Sequence, residues 1–326
     1  MKRFFCKYRK LYLWCTLLLI CLMNSVIFPI TTWGASNGLK VSAESAVMFD
    51  VASGRILYNK FGDKPLPIAS LTKIMTAIVA IEHAKLSDIV KVSGNAFGKE
   101  GSSIYLKLNE EMSLHNMLYG LMLRSGNDAA TAIAEHVGGS VEGFAFLMNQ
   151  KALWLGMNHS QFQNPSGLDD KEHFSTAEDI AKLTAYALRN PIFQEIVKTK
   201  VKKVPNPNDP WDYVWANKNK MLSLYPDSDG VKTGYTKIAK RCLVSSATRG
   251  NQQLVIVTLN DSNDWVDHTN LLNYGFTNFP LNKLLESKAM FGVNQTKGFK
   301  TTLVEKSRLS QLFQTLKSVV GGVWGW

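Results

Sequence analysis

Apolar and polar positions alternate from residue 45 to residue 60, through Ala46-Val47-Met48-Phe49-Asp50 and then Arg55-Ile56-Leu57-Tyr58, with Ala52-Ser53-Gly54 between them. Alternation broken by a glycine turn predicts a β-hairpin. After Pro65 and Pro67 the period changes. From Ser70 to Ala84 the apolar residues Ile74, Ala77, Ile78 and Ile81 fall at helical spacing with no Gly or Pro among them, which predicts a buried helix. Helical spacing continues from Leu114 to Leu188, with breaks at Ser125-Gly126-Asn127, Gly138-Gly139 and Asn164-Pro165-Ser166-Gly167. Ser175, with Glu178 three positions on, reads as a capping box opening the last helix of this set. A Pro- and Asn-rich stretch from Pro205 to Pro210 precedes a return of strand character at Lys232. Arg241 to Thr248, the turn Arg249-Gly250-Asn251 and Leu254 to Leu259 form a second predicted hairpin. Two distant hairpins sharing an antiparallel sheet, with helices inserted between them, define an α+β architecture.

The two ends of the chain have patterns of their own. Lys2, Arg3, Lys7, Arg9 and Lys10 precede an apolar run from Leu11 to Ile30, and small residues at Thr32, Gly34 and Ala35 follow. This is the layout of an export signal, assigned to residues 1–34; an uncleaved anchor helix is the alternative. The main domain is then expected over residues 35–280 and a short C-terminal segment over 281–326. In that segment Leu309, Leu312, Phe313, Leu316, Val319 and Val320 oppose Lys306, Arg308, Gln311, Gln314 and Lys317, and Trp324 and Trp326 follow. The pattern predicts an amphipathic helix on a membrane surface, with docking on the protein itself as the alternative.

Setting the leader aside lowers the formal charge from +11 to +6, too diffuse a balance for nucleic-acid binding and better suited to anionic wall or membrane polymers. Three of the four cysteines, Cys6, Cys15 and Cys21, lie in the leader, so Cys242 has no internal disulfide partner. The six histidines are scattered and form no His-Glu-x-x-His pair, which removes the usual zinc hydrolase signature; no metal is expected.

Three short motifs carry candidate chemistry. Ser70-Leu71-Thr72-Lys73 sets a hydroxyl and an amine on one helix face, and burial against Ile68 and Ile74 would lower the amine's pKa enough for it to serve as a base. Ser70 also falls at the helix start, where free N–H groups favour an oxyanion. Ser125-Gly126-Asn127 occupies an interhelical turn, where the hydroxyl can relay a proton and the amide can hold a peptide bond. Lys232-Thr233-Gly234 opens a strand whose cation, hydroxyl and unobstructed glycine suit an extended peptide ending in a carboxylate, with the Tyr235 N–H as a second oxyanion donor. Taken singly, each motif is also compatible with a helix cap or a surface turn.

In this order and context the three resemble the signature of low-molecular-mass penicillin-binding proteins, the serine D-Ala-D-Ala carboxypeptidases of the peptidase S11 family. Ile68 to Ala77, Leu121 to Ala130 and Asn164-Pro165-Ser166-Gly167-Leu168 extend the likeness, which runs from about Ala43 to Phe279 and points to enzymes of spore-forming Gram-positive bacteria. The resemblance implies a β-lactamase/DD-peptidase-like fold, export to the outer membrane face or cell wall, and acyl transfer without a cofactor. On that pattern Ser70 attacks the stem peptide, Lys73 is its base, and Ser125 with Lys232 returns a proton to the leaving amine. Asn127 orients the substrate amide, Lys232 and Thr233 take the carboxylate, and Gly234 and Tyr235 line the substrate strand. Peptidoglycan stem peptides are the implied partners and β-lactams the implied inhibitors.

The chain departs from the pattern in two places. Asn260-Asp261-Ser262-Asn263-Asp264 stands where many relatives carry an arginine for the carboxylate, leaving Arg241 as the candidate, and only 47 residues follow Phe279, where relatives commonly carry a β-rich second domain. A β-lactamase would need a deacylating Glu-x-x-Leu-Asn stretch, which is missing. An endopeptidase, or a silent penicillin-binding protein, remains compatible with the same residues.

Overall fold

The computed structural model describes residues 39–281 apart from Pro207, so the proposed leader and the amphipathic C-terminal stretch lie outside the described residues. The chain divides into units at Lys40, and the unit from Val41 onward is the one described here. It opens with the predicted hairpin, β1 (Ser45–Asp50) and β2 (Arg55–Lys60). A 3-10 turn, Ala69–Leu71, leads into α1 (Thr72–His83), and a small ladder of β3 (Ile89–Lys91) and β4 (Glu111–Ser113) leads into α2 (Leu114–Tyr119). A π turn, Gly120–Arg124, separates α2 from α3 (Asn127–Gly138), which α4 (Val141–Trp154), α5 (Ala177–Ala187) and α6 (Pro191–Lys198) follow.

A second small ladder, β5 (Val201–Val204) with β6 (Tyr213–Ala216), spans the Pro-rich stretch that sequence periodicity reads as an interruption. The short helix α7 (Met221–Leu224) precedes β7 (Ser228–Thr236), β8 (Lys240–Arg249) and β9 (Gln252–Leu259), and α8 (Asp264–Asn278) closes the unit.

The main sheet is antiparallel with strand order β2-β1-β9-β8-β7, so β1 pairs with β9 and the two distant hairpins are joined as the sequence predicts. The side-chain period of two sends alternate residues to opposite faces. Val47, Val255 and Val257 belong to the core shared with the helices, whereas Met48 and Leu254 meet α8 at Gly275. Ser245 and Thr258 also face α8, where they hydrogen-bond both nitrogens of buried His268. Residues 72–80 of α1 are all buried, making it the axle of the helical half. The strand β7 lies at the sheet edge, which leaves one side of its backbone free of a sheet partner.

The capping expectation is corrected by one residue. The N-cap of α5 is Thr176, whose hydroxyl accepts from the Asp179 N–H, while Ser175 exchanges backbone hydrogen bonds with Leu66 and Glu178 bonds Asn59. Both hydroxyls fit the sequence rule, but only Thr176 escapes the backbone bridge that holds Ser175.

Candidate active site

Ser70 sits in the 3-10 turn ahead of α1, partly exposed, and Lys73 in the first turn of α1 is fully buried. Their i, i+3 spacing brings Lys73 Nζ to 3.1 Å from Ser70 Oγ. The amine makes two shorter contacts, 2.7 Å to Asn127 Oδ1 and 2.5 Å to the Ser166 carbonyl. Both partners can only accept, so each takes a hydrogen from the amine. The Asn127 orientation is fixed because its Nδ2 donates to the Glu100 carbonyl at 2.7 Å. The amine thus donates to three oxygens, those of Ser70, Asn127 and Ser166, and loss of one proton would leave a lone pair for Ser70 while Asn127 and Ser166 keep their hydrogens.

The surroundings weigh against the charged form. Burial, then the positive charges of Lys232 and Lys218, push the Lys73 pKa well below its ordinary value, against a smaller opposing pull from Asp128. Among the described residues no carboxylate hydrogen-bonds Lys73 or Ser70.

Ser125 adopts a left-handed backbone, φ 64° and ψ 36°, after the π turn, a strained conformation for a residue with a Cβ. Its hydroxyl is buried with no hydrogen-bond partner among the described residues, an unusual state for a buried polar group and one suited to a proton relay. The motif is held from below: Asp128 accepts from Ser103 Oγ at 2.6 Å and from the N–H groups of Ile104 and Leu106, while the Asn127 N–H donates to the Ser102 carbonyl. The helix-cap reading of this turn holds only in part: the N-cap of α3 is Gly126, without a side-chain bond, but Asp128 in the first turn accepts from the Ala129 N–H at 2.9 Å as well as from the 103–106 loop.

The third motif lies on β7, beyond a bulge between Ser228 and Gly230. Gly230 (φ 84°) approaches the Val197 carbonyl so closely that a Cβ would stand 2.3 Å from it. Val231 follows at φ 105°, unfavourable for a β-branched residue. Asp229 anchors this distortion by accepting from Thr248, Gln253, Ser246 and Lys198. Past the bulge, Lys232 is buried and its amine donates to the Thr233 carbonyl at 2.8 Å. Burial and then Lys218 lower its pKa to about 7. Gly234 packs on the Ser70 turn: a Cβ there would lie 3.2 Å from Ser70 N, crowding the space beside that N–H. Tyr235 is the next residue, its ring exposed. The strand and the nucleophile turn thus meet, and all three motifs converge.

Arg241 does not join them. Its guanidinium bonds Asp264 through Nη2 at 2.6 Å and Nε at 3.1 Å, so the arginine left as a candidate for the carboxylate is already paired. Sequence reasoning also missed Lys218, whose charge acts on a lysine in each of two motifs. This residue follows β6, donates to Ser102 Oγ at 3.0 Å, has no carboxylate within ion-pair distance among the described residues, and its charge reaches both Lys73 and Lys232. Sequence spacing gave no signal for it, because a single lysine after a short strand looks like any solvated cation. Ser166 was visible only as part of a matched stretch. The structure adds its carbonyl contact to Lys73, supported by Asn164 Oδ1, which accepts from the N–H groups of Ser166, Gly167 and Leu168. Among the described residues, no group of three or more His, Cys, Asp or Glu side chains is placed to hold a metal ion.

A family model described as D-alanyl-D-alanine carboxypeptidase, peptidase S11, matches residues 32–263. The chain belongs to this family. Among its relatives is the D-alanyl-D-alanine carboxypeptidase DacF of Bacillus subtilis, 35% identical over 269 residues, which cover 80% of this chain and 67% of that protein. The D-alanyl-D-alanine endopeptidase of Escherichia coli is 30% identical over 226 residues, covering 68% of this chain and 72% of the other. Of solved structures, the Streptomyces K15 DD-transpeptidase superposes with a TM-score of 0.69 at 31% identity, covering 73% of this chain and 98% of that one. A D-alanyl-D-alanine carboxypeptidase of Mycobacterium tuberculosis gives 0.70 at 29%, covering 74% and 94%. The chain spans about two thirds of the length of the first curated relatives. The fold is that of the β-lactamase-like DD-peptidases, an antiparallel sheet packed with helices.

Proposed function

We propose that this chain is a serine D-Ala-D-Ala carboxypeptidase that removes the terminal D-Ala of peptidoglycan stem peptides through an ester on Ser70. The observation that carries this reading is the buried Lys73 amine, 3.1 Å from Ser70 Oγ and held by Asn127 and Ser166, with a pKa that burial pushes down so that it can give up a proton and then take the one from Ser70. Ser70 Oγ attacks the penultimate D-Ala carbonyl as its proton passes to Lys73, and the N–H groups of Ser70 and Tyr235 receive the oxyanion. The leaving D-Ala amine takes a proton through Ser125, backed by Lys232, and Asn127 orients the substrate amide. Lys73 then activates the water that releases the shortened peptide.

Penicillins enter the same step and acylate Ser70. Without a carboxylate beside Lys73 to activate a second water, their ester outlasts a turnover, which separates the site from a β-lactamase. The site binds the substrate carboxylate through Lys232, Thr233 and Lys218, and Gly234 leaves room for the peptide. Residues 35–280 form the catalytic domain, residues 1–34 direct export, and the amphipathic stretch within 281–326 holds the enzyme to the outer membrane surface or wall. No helix among the described residues is long and apolar enough to cross a membrane.

The test is release of free D-Ala from a synthetic stem pentapeptide by purified protein. Steady release, abolished when the protein is first saturated with benzylpenicillin, is the expected result; labelling by fluorescent penicillin with no D-Ala released would leave only a binding protein. Adding an amine acceptor distinguishes transfer from hydrolysis, because the proposed enzyme gives free tetrapeptide as its main product.

The role of Lys218 gives a second expectation. Lys218→Ala should raise KM for a substrate with a free terminal carboxylate by about tenfold while kcat at high pH changes little, and Lys218→Arg should keep most of the affinity. Removing that positive charge also lets the pKa values of Lys73 and Lys232 rise, so the acid limb of the rate profile should move to higher pH. An unchanged KM would remove Lys218 from the carboxylate site.

A further inference from the structure

Beneath the nucleophile turn lies a buried histidine that the chemistry above does not use. The Gln163 N–H donates to His173 Nδ1 at 3.1 Å, so that nitrogen carries no proton and the neutral ring bears its hydrogen on Nε2. Nε2 stands 2.8 Å from Thr72 Oγ1, which therefore accepts from the ring and is free to donate its own hydrogen onward. It does so to the Ala69 carbonyl at 2.9 Å. Phe162 meets the imidazole edge to face with ring centroids 5.6 Å apart, fixing the ring plane. Burial lowers the His173 pKa to about 4, so this tautomeric arrangement persists at neutral pH.

The carbonyl at the end of this chain belongs to the same planar peptide unit as the Ser70 N–H. In a trans peptide the two point in opposite directions, so pinning Ala69 O from below aims the Ser70 N–H away from it, toward the Gly234 side of the cleft. The Ala69 carbonyl also accepts from the Thr72 backbone N–H, and the hydroxyl adds a second bond that the ring holds in place. Ala69 is held at φ 46°, a conformation that a Cβ disfavours. A cavity of about 450 Å³ bordered by Ile68, Ala69, Gly167, Leu168 and His173 opens beside the turn, whose Ile68 and Ala69 side chains are themselves buried. Gly167 leaves space for the carbonyl, since a Cβ at that position would stand 1.9 Å from Ala69 O and 2.7 Å from Thr72 Oγ1.

We infer that His173 and Thr72 are positioning residues whose hydrogen-bond relay, from the Gln163 N–H to the Ala69 carbonyl, orients the Ser70 nucleophile and its oxyanion-binding N–H. The inference rests on the acyl-transfer reading of the site. Because the relay acts on geometry at Ser70 and touches no substrate, it governs the rate of acylation and leaves the preceding encounter complex alone.

The experiment is stopped-flow acylation of the full chain by a fluorescent penicillin, resolving the dissociation constant of the encounter complex from the acylation rate constant, with thermal melting of each variant alongside. Thr72→Val should lower the rate constant by about tenfold or more at an unchanged dissociation constant, and Thr72→Ser, which restores the hydroxyl, should return it to within about threefold of wild type. His173→Leu should show the same loss. The double variant His173→Leu with Thr72→Val should be no slower than Thr72→Val alone, since both break one relay. Folded Thr72→Val that acylates at the wild-type rate, a serine that fails to rescue, or losses that multiply in the double variant would overturn the inference. If Thr72→Val does not fold, His173→Gln against His173→Leu decides: glutamine can still accept from Gln163 and donate to Thr72, so it should stay near wild type, and equal rates for the two would refute the relay. Wild-type protein that is not labelled at all would overturn the acyl-transfer reading, and this inference with it.

Discussion

Ser70→Ala is expected to abolish both D-Ala release and penicillin labelling, each falling by at least about 10⁴-fold to the assay background. The substitution removes the atom proposed to form the ester, and among the described residues no other hydroxyl hydrogen-bonds the Lys73 amine. Ser125 is the nearest alternative in kind, but its hydroxyl is buried in a left-handed turn and bonds no base among the described residues. Stability should hardly change, because the side chain is partly exposed and its one described bond is to Lys73, worth about 1 kcal/mol. Thermal melting within a few degrees of wild type, together with a blank activity assay, is the expected pair of results. Activity that survives at even a tenth of wild type would place the ester elsewhere.

Lys73 carries the second large effect, and its replacements separate the base from the buried group. Lys73→Met keeps the length of the side chain without an amine and should cut acylation by about 10³-fold, within the range for losing a positioned general base. Folding should survive with some loss of stability, since an apolar side chain in this fully buried position escapes the desolvation that a lysine meets there but leaves Asn127 Oδ1 and the Ser166 carbonyl without their Lys73 partner. Lys73→Arg should not rescue the rate. A guanidinium retains its proton at every working pH and so offers no lone pair to Ser70.

The pH profile supplies an independent sign. The base must be neutral to accept the proton, so wild-type acylation should decline as pH falls through the depressed Lys73 pKa. The small residual rate of Lys73→Met should lack that step. A wild-type profile that rises toward acid, or an arginine variant with more than about a tenth of wild-type activity, would exclude lysine as the base.

Much of the sheet and the three reacting motifs was legible in the sequence, because each follows a short-range rule. Alternation gives β1 with β2 and β8 with β9, i, i+3 spacing brings Ser70 and Lys73 together, and helical periodicity carries α1. What escaped depends on tertiary contact. The β5–β6 ladder was hidden by Pro205 to Pro210, whose turn-forming residues fill the loop while the flanking strands are only four residues each. The cap of α5 moved from Ser175 to Thr176 because the Leu66 bridge, 109 positions away in the chain, holds the Ser175 backbone.

Charge partners were the least legible. Arg241 and Lys218 look equally available in one dimension, yet Asp264 claims the first and no carboxylate reaches the second among the described residues. Asp128 follows a motif that also reads as a helix cap, and the structure makes it the clamp on Ser103, Ile104 and Leu106. The strain at Ala69, Ser125 and Val231 was likewise invisible. Each residue stands beside or within a motif, where the backbone is bent so that a hydroxyl or an amine enters the cleft, and such strain survives only because the surrounding hydrogen bonds over-determine it.

The central claim is a covalent ester on Ser70, and mapping the acylated residue tests it most directly. Protein reacted with benzylpenicillin, quenched in acid and digested, should carry the intact ring-opened drug on the peptide containing Ser70 and on no other, with the same peptide unmodified in Ser70→Ala. A label on any other residue, or D-Ala release that persists in a chain whose Ser70 is already blocked, would contradict the account.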